Sequence, residues 1–546
     1  MRKVVILLMV VVSAGVLCAK PAYRGPIERT QPDGSTITVY LHGDEFFHWE
    51  TNAAGEWLTQ DAEGKYVPTS ALTEEAISHR RKASPLYMPQ AVQQASPRNL
   101  APRGLIILVN FQDVAFQSTN TLAILRDMHN ADNYSYSYSY TDPDTHKTVN
   151  ITAEGSVRKY FMDQSGGQYQ PTFDVVGPFT VSENMAYYGE NKGGAGTDKR
   201  PHYMVKEACE LADKDGVDFS LYDNDKNGKV DFVYVLYAGY CEADGAPTTT
   251  IWPHSWQLYS GGGITLTLDG KKVDLYACSS ELNYISNARC GIGTFCHEFS
   301  HVLGLPDIYP ANGGNHKTSG CWEVMDYGPY NNDGNTPPAY SGYKRLFFGW
   351  ATSRVLSTYG EVSIKELQAF NDVCVITPTG AFNGQGNDPY PTEFYVLENR
   401  QQKGWDGYIP GHGLMLTKIN YSHGVWSGNT VNNNSGNLCV DLIEADGLTP
   451  SYTQYNRENG YFGKQTDLFP AGATEYVKIP NYGITNITEA NEEISFSLGY
   501  SSDIGATSED GLNGTRSQGV WMKRLENGQV VIVRDGVKYS LLGEKL

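Results

Sequence analysis

The chain has 546 residues, a formal net charge of −19, 40% hydrophobic residues and nine cysteines. Its length predicts roughly three to four domains, and its apolar content is sufficient for folded cores. A strongly acidic chain binds nucleic acid and anionic membranes poorly, so we expect neither as a partner. The only long apolar run lies at the N-terminus, and once it is removed we expect no insertion into a membrane.

Residues 1–19 predict a secretory signal peptide. Arg2 and Lys3 precede an apolar run from Val4 to Val12, which is too short for a stable membrane span. Cleavage is expected after Ala19, and the product is expected to be secreted to the medium or the cell surface. Eight cysteines then remain. An even number in an exported chain permits disulfides, and buried free thiols are the equal alternative.

Residues 20–102 predict a small β unit and a linker. Up to about residue 75, short strand-like runs are separated by Gly-containing turns, a pattern typical of a β meander. From about His79 to Arg103 the sequence is polar and rich in Pro, Ala and Gln, which predicts a linker exposed to proteolysis.

The next region, residues 103–350, mixes strand and helix patterns. Leu105–Phe111 is continuously apolar, as in a strand buried on both faces. Ser156–Phe161 and Met204–Ala212 predict helices. Asn133–Tyr140 alternates Tyr with Ser and predicts a strand or loop without an assigned function.

Oxygen-bearing groups recur in a loop that begins at Asp223. Asp223, Asp225, Asn227 and Asp231 occupy loop positions one, three, five and nine, and the Lys229 carbonyl is a further candidate. Calcium takes about six to eight oxygen ligands, and this spacing wraps them around one ion. The glutamate that completes an EF-hand is missing. The loop therefore predicts a structural Ca²⁺ site, with an ion-free hairpin of Asx turns as the alternative.

The pattern H-E-x-x-H-x-x-G-x-x-D begins at His297. On a helix, His297 and His301 lie one turn apart on the same side and can reach one zinc ion. Glu298 is placed to hold and deprotonate a water molecule. Gly304 can end the helix and turn the chain, so that Asp307 returns toward the histidines as the third ligand.

Glu323 is an alternative third ligand. It lies twenty-two residues after His301, a spacing like that of thermolysin-type zinc enzymes, in which the glutamate is helical. Only seven residues separate Gly320 from Gly328, however, which disfavours a helix here and favours Asp307. The same segment contains Met325 and Tyr327, a pattern typical of the methionine turn beneath the zinc of metzincins.

These two motifs, HEFSHVLGLPD and VMDYG, resemble the immune inhibitor A-like family of secreted zinc metallopeptidases, metallopeptidase family 6, within the metzincins. An aspartate replaces the third histidine of the wider metzincin pattern, and the resemblance implies that this family accepts it. Weaker likeness extends from about Arg103 to about Leu498. It includes Gly177-Pro178, Trp252-Pro253-His254-Ser255-Trp256, Glu398-Asn399-Arg400 and Glu444-Ala445-Asp446-Gly447.

Ahead of such a peptidase, the cleavable unit 20–102 is typical of a prosegment. The stretch has no cysteine, so a thiolate is not its means of latency. Asp44 follows Gly43, a Gly-Asp pair similar to the one with which astacin propeptides ligate zinc. The other interpretation, which we favour, is a turn aspartate.

Beyond Trp350 the pattern becomes strand-rich. Residues 351–500 contain apolar strand-like segments between loops rich in Gly, Asn and Pro, which predicts a β-sandwich-like region packed on the protease. Residues 501–546 predict a linker, Ser501–Gly519, and three short strands. This tail looks like the C-terminal sorting signals of certain Gram-negative exported enzymes, and an ordinary small β module is the alternative.

The sequence therefore predicts an α+β protein, with a metzincin-like zinc protease domain built on a mixed sheet and an active-site helix. We expect a secreted zinc endopeptidase with protein or peptide substrates, in which Glu298 is the general base and acid and Tyr327 stabilises the oxyanion. Two alternatives come from other classes: a catalytically idle, calcium-stabilised adhesin, or a glycan-binding protein.

Overall fold

The computed structural model describes residues 20–69, 76, 101–143, 145–191, 197–314, 316–448 and 463–499, and the backbone of three strands between residues 521 and 539. The predicted signal peptide, almost all of the linker predicted at His79–Arg103 and the linker predicted at Ser501–Gly519 lie outside the described residues. Within these ranges, no helix is long and apolar enough to span a bilayer.

The N-terminal unit is a five-stranded antiparallel meander, as its turns predict. Its strands follow chain order: β1 (Pro26–Thr30), β2 (Thr36–Asp44), β3 (Phe47–Thr51), β4 (Trp57–Gln60) and β5 (Tyr66–Pro68). Inward side chains such as Ile27 and Val39 share one apolar cluster with Val109 and Tyr237 of the following region. The meander is thus docked on the region that follows it, because the two have a common core.

The strands of the region from residue 103 to 350 are β6 (Arg103–Asn110), β7 (Ser135–Thr141), β8 (Thr148–Glu154), β9 (Thr172–Thr180), β10 (Val233–Tyr237), β11 (His254–Gln257), β12 (Leu266–Leu268), β13 (Lys271–Val273) and β14 (Leu275–Ser280). Five of them form a mixed sheet in the order β11-β14-β10-β6-β9, and β7 with β8 and β12 with β13 form two hairpins. Within the mixed sheet, only the edge strand β11 is antiparallel to its neighbour. The continuous apolar run at Leu105–Phe111 forms the buried strand β6, as predicted, because helices and loops cover both faces of a parallel sheet.

The described part of this region contains seven α-helices. They are α1 (Leu122–Asn130), α2 (Val157–Gln164), α3 (Met185–Gly189), α4 (Pro201–Lys214), α5 (Leu258–Gly262), α6 (Gly293–Val302) and α7 (Gly342–Phe348). Helices α2 and α4 contain the two segments predicted as helical. Helix α6 carries the H-E-x-x-H pattern, and its Phe295 and Phe299 pack against Phe173 of the sheet. This aromatic packing turns the opposite side of α6, with its histidines, away from the sheet.

Residues 351–499 form two further sheets. The first contains β15 (Ser353–Val355), β17 (Val373–Ile376), β18 (Glu393–Arg400), β19 (Gly413–Asn420) and β20 (Val440–Leu442). The second contains β16 (Gly360–Ile364), β21 (Tyr476–Ile479), β22 (Tyr482–Ala490) and β23 (Glu493–Gly499). Two short helices, α8 (Leu367–Phe370) and α9 (His423–Ser427), interrupt them.

Both of these sheets contribute to one apolar cluster, which joins Leu397 of the first to Phe496 of the second. Other side chains of the first sheet, such as Val396, belong to the same cluster as Met325 and Tyr343 of the preceding region. The strand-rich region is therefore packed against the part of the chain that carries the methionine-turn motif.

The C-terminal segment contains the three predicted strands, β24 (Trp521–Glu526), β25 (Gln529–Arg534) and β26 (Val537–Tyr539), paired antiparallel in chain order. The eight cysteines from Cys209 to Cys439 are all free, and seven of them are buried. Of the two possibilities for the cysteines, free thiols are therefore the correct one, and no disulfide bond is present among the described residues.

Candidate metal centre

Three ligand atoms converge beside helix α6. The Nε2 atoms of His297 and His301 lie 3.1 Å apart, and Oδ1 of Asp307 lies 3.2 Å from each of them. Ligands at about 2.0–2.1 Å around a tetrahedral zinc ion are roughly 3.3 Å from one another. The three atoms thus have the size of one face of a tetrahedron, and the residues fit zinc.

Both histidines are fixed in the tautomer that metal ligation needs. The Nδ1 atom of His297 lies 2.7 Å from the carbonyl oxygen of Val324, and that of His301 lies 2.7 Å from the carbonyl oxygen of Leu305. A carbonyl oxygen only accepts, so each Nδ1 carries the hydrogen and donates it. Each Nε2 is then left with a lone pair that faces the other ligands.

Asp307 reaches this position through a sharp turn at the end of α6. Gly304 has φ +100°, a conformation that favours glycine, and the N–H of Leu305 donates to the carbonyl oxygen of Ser300 at 3.0 Å. The predicted helix stop is therefore present. Burial opposes the ionisation of Asp307, but His301 and His297 lower the pKa of its carboxyl below the usual value.

The strand-rich region supplies a partner for this aspartate. Asn429 donates from Nδ2 to Oδ2 of Asp307 at 2.7 Å, and its Oδ1 accepts the backbone N–H of Asp307 at 2.7 Å. This reciprocal pair occupies Oδ2 and leaves Oδ1 directed at the two histidines. Asn429 belongs to no motif recognised in the sequence, and its only sequence signal is the Asn-rich run that begins there.

Glu298 lies beside the three ligands and is completely buried. Burial raises the pKa of its carboxyl to about 8, while His297 acts in the opposite direction. Its Oε1 accepts the backbone N–H of Lys20 at 2.9 Å, and its Oε2 has no hydrogen-bond partner within the described residues. A buried carboxylate oxygen without a partner is costly, which indicates a position prepared for a further polar group.

The segment that contains Met325 contacts residues of the centre. Its backbone carbonyl accepts the N–H of Ile308 at 2.8 Å, next to Asp307, and the side chain is fully buried. Glu323 is not part of the ligand group. It follows a short 3₁₀ turn, has an extended backbone, and its carboxylate pairs with the buried ammonium of Lys344.

Residues of the N-terminal unit cover both predicted catalytic side chains. The backbone N–H of Lys20 contacts Glu298, and Nε of Arg24 donates to the Tyr327 hydroxyl at 2.8 Å. Asp44 does not join the metal ligands. Its Oδ1 accepts the N–H of Phe46 at 3.0 Å, as expected of a turn aspartate.

The second predicted metal loop is only partly assembled. Carboxylate oxygens of Asp223, Asp225 and Asp231 lie within 4.8 Å of one another, and Oδ1 of Asp223 has no partner within the described residues. Oδ1 of Asn227 instead accepts the N–H of Lys229 at 2.9 Å. The structure therefore brings together the three aspartates, and the amide oxygen of Asn227 is engaged within its own loop.

Residues 91–352 match the catalytic domain of the immune inhibitor A peptidase family M6. The pre-pro-metalloprotease PrtV of Vibrio cholerae is 25% identical over 298 residues, which cover 48% of this chain and 31% of PrtV. Immune inhibitor A of Bacillus thuringiensis is 27% identical over 221 residues, 35% of this chain and 31% of that protein. The chain thus spans about a third of the length of these curated relatives. The segment that contains the His297, His301 and Asp307 centre is therefore similar to the catalytic domain of the M6 metallopeptidases.

Proposed function

We propose that the chain is a secreted zinc endopeptidase that hydrolyses protein or peptide substrates. The observation that carries the proposal is the triangle of His297, His301 and Asp307 beside the buried, half-unpartnered carboxylate of Glu298. Two imidazoles and one carboxylate would hold a zinc ion and would leave its fourth position to a substrate or water oxygen, as a catalytic zinc site requires.

Zinc, when bound, supplies Lewis acidity to the scissile carbonyl and lowers the pKa of a water molecule. Glu298 takes the proton from that water and gives it to the leaving nitrogen. Tyr327 donates its hydroxyl hydrogen to the oxyanion once Arg24 no longer occupies that hydroxyl. Asn429 holds Asp307 in place and does not touch the substrate.

The N-terminal unit is, in this proposal, an inhibitory prosegment. The backbone N–H of Lys20 donates to Glu298, and the side chain of Arg24 donates to the Tyr327 hydroxyl. Substrate therefore cannot reach either group while the unit is docked. Cleavage between about His79 and Arg103 would separate the unit from the enzyme. Mass spectrometry of active enzyme would test this, and an active species that starts at residue 20 would contradict it.

We also propose roles for the other regions of the chain and for the loop that begins at Asp223. Residues 103–350 are proposed as the metzincin-like catalytic domain, and residues 351–500 as a β-sandwich-like region packed on it. Asp223, Asp225 and Asp231 are proposed to bind structural Ca²⁺, to which Asn227 and Lys229 would contribute after a small change of the loop. The strands in 501–546 are proposed as a sorting tail.

Casein digestion by the purified, linker-cleaved chain tests the function. Activity should disappear with a zinc chelator and return with added zinc, in proportion to zinc bound per chain. If the chain is a catalytically idle adhesin, it should contain no stoichiometric zinc. If it is a glycan-binding protein, its ligand binding should survive chelation.

A further inference from the structure

The side chain of Lys20 enters a buried pocket beside Glu298. Its Nζ lies 2.7 Å from Oδ1 of Asp244 and 3.9 Å from the centre of the Tyr330 ring. The side chains of Lys20 and Asp244 are only 4% and 1% exposed. Burial alone would lower the pKa of the Lys20 ammonium, but the attraction of Asp244 raises it above the ordinary value. The pocket therefore holds a charged ammonium group.

The pocket itself belongs to the region that carries the metal centre. Asp244 ends a short 3₁₀ turn, and Gly245 follows it at φ +94°. The second carboxylate oxygen of Asp244 has no hydrogen-bond partner within the described residues. A buried carboxylate needs a compensating cation, and removing one partner of a buried pair is strongly unfavourable. When the N-terminal unit leaves, Asp244 remains in the region of the metal centre and can pair with another cation.

The backbone of the N-terminal segment lies against groups that can also hold a peptide. The carbonyl of Lys20 accepts from Nε1 of Trp252 at 3.1 Å, and that of Pro21 accepts from the Tyr330 hydroxyl at 2.6 Å. The N–H of Tyr23 donates to the carbonyl of Ala243 at 2.8 Å. These bonds involve main-chain atoms of the segment, so a substrate of another sequence can form them too.

The position of the backbone nitrogen of Lys20 indicates how a substrate peptide is aligned with the metal centre. This nitrogen lies 2.9 Å from Oε1 of Glu298, the group that gives its proton to the leaving nitrogen in the proposed reaction. The leaving nitrogen of a substrate must come within the same distance of Glu298. Lys20 therefore corresponds to the residue directly after the scissile bond, and its side chain marks the subsite for that residue.

We propose that Asp244 forms the base of a subsite for a lysine or arginine side chain, so that the enzyme cleaves peptide bonds on the amino side of basic residues. Tyr330 adds a ring face to which the cation is attracted. This inference rests on the proposed peptidase function and assigns its substrate class.

The first test is a cleavage profile. The full chain, cut in its linker and loaded with zinc, is incubated with a peptide mixture from a whole proteome, and the products are identified by mass spectrometry. Lysine and arginine should be enriched directly after the cleaved bond. Absence of this enrichment, or enrichment only directly before the bond, would overturn the proposal.

Variants then test Asp244 itself. For a peptide with lysine after the scissile bond and its norleucine analogue, the ratio of kcat/KM should be at least about tenfold in the wild type and should approach one in Asp244→Asn. Glu242→Gln is the matched control, because Glu242 contacts His48 and Asn191 and not Lys20. It should keep the ratio. A ratio that is the same in Asp244→Asn and the wild type would refute the assignment.

A binding measurement separates this inference from the proposed function. In zinc-free chain cut at the linker, the N-terminal fragment should dissociate faster in Lys20→Met than in the wild type, and Lys20→Arg should retain it. Size-exclusion chromatography gives the retained fraction. Equal retention in Lys20→Met would refute the cation pocket. If the fragment behaves as expected but the zinc-loaded enzyme hydrolyses no peptide, the peptidase function fails, and the substrate assignment fails with it.

Discussion

The two candidate metal sites are held in place in different ways. At the first, the side chains of His297, His301 and Asp307 are at most 4% exposed, and each is oriented by a partner from elsewhere in the chain or from the turn after α6. At the second, the aspartates of the loop that begins at Asp223 accept mainly from their own loop, and one is paired with Lys271. Distant partners fix ligand geometry before a metal arrives, whereas a local loop can rearrange around an ion.

The first site also has a neighbour that the second lacks. Glu298 lies beside the ligands with one oxygen free of partners within the described residues. At the loop site the free oxygen belongs to a candidate ligand, Asp223. We therefore propose a catalytic role for the first site and a stabilising role for the second, and we expect variants to have much larger effects at the first.

The largest effect is expected for Glu298→Gln. Loss of the proton acceptor should lower kcat by about 10²–10⁴-fold, while the three ligands and the zinc content stay unchanged. The measurements are zinc per chain and the rate of casein digestion. Near-normal turnover of the zinc-loaded variant would remove Glu298 from the mechanism.

Asp307→Ala and Glu323→Ala should have opposite effects. Asp307→Ala loses one of three ligands, so zinc affinity and activity should fall together. Glu323→Ala leaves the buried Lys344 without its partner, so it should lose about 3–5 kcal/mol of stability but keep its zinc. Zinc analysis and thermal unfolding of both variants decide the matter. Retained zinc in Asp307→Ala with loss in Glu323→Ala would favour thermolysin-type ligation.

Asn429→Ala sharpens the comparison because it changes a partner and no ligand. Without its amide, Oδ2 of Asp307 loses a hydrogen bond, and zinc affinity should fall by about 10–100-fold. Asn433→Ala is a suitable control, because Asn433 lies four residues after Asn429 but accepts the N–H of Asn312 and not that of a metal ligand. Competition with a chelator of known affinity gives both values. Equal affinity in the two variants would show that Asn429 does not position the ligand.

The features that the sequence predicted correctly are those that depend on residues close together in the chain. The spacing of His297 and His301, the turn at Gly304 and most strands after residue 350 depend on neighbours in the chain, and the structure contains them. The contact between Asn429 and Asp307 joins residues 122 positions apart, and no periodicity marks it. The Lys20 pocket was missed for the same reason, because Lys20 and Asp244 meet only after the N-terminal meander docks.

The smallest effect is expected at the loop that begins at Asp223. Calcium must compete there with the ammonium of Lys271, 2.6 Å from Oδ2 of Asp223, so its net gain is limited. An ion at a hundredfold excess over its Kd stabilises by about 2.7 kcal/mol, and each kcal/mol moves the Tm of a domain of this size by about 2–4 °C. A calcium-selective chelator should thus lower Tm by several degrees and leave the zinc content intact.

Lys271→Ala should enlarge that shift, since it removes the competing cation, and Asp225→Asn should reduce it. If the chelator leaves Tm unchanged in both the wild type and Lys271→Ala, the loop is an ion-free hairpin and the first site is the only metal centre among the described residues.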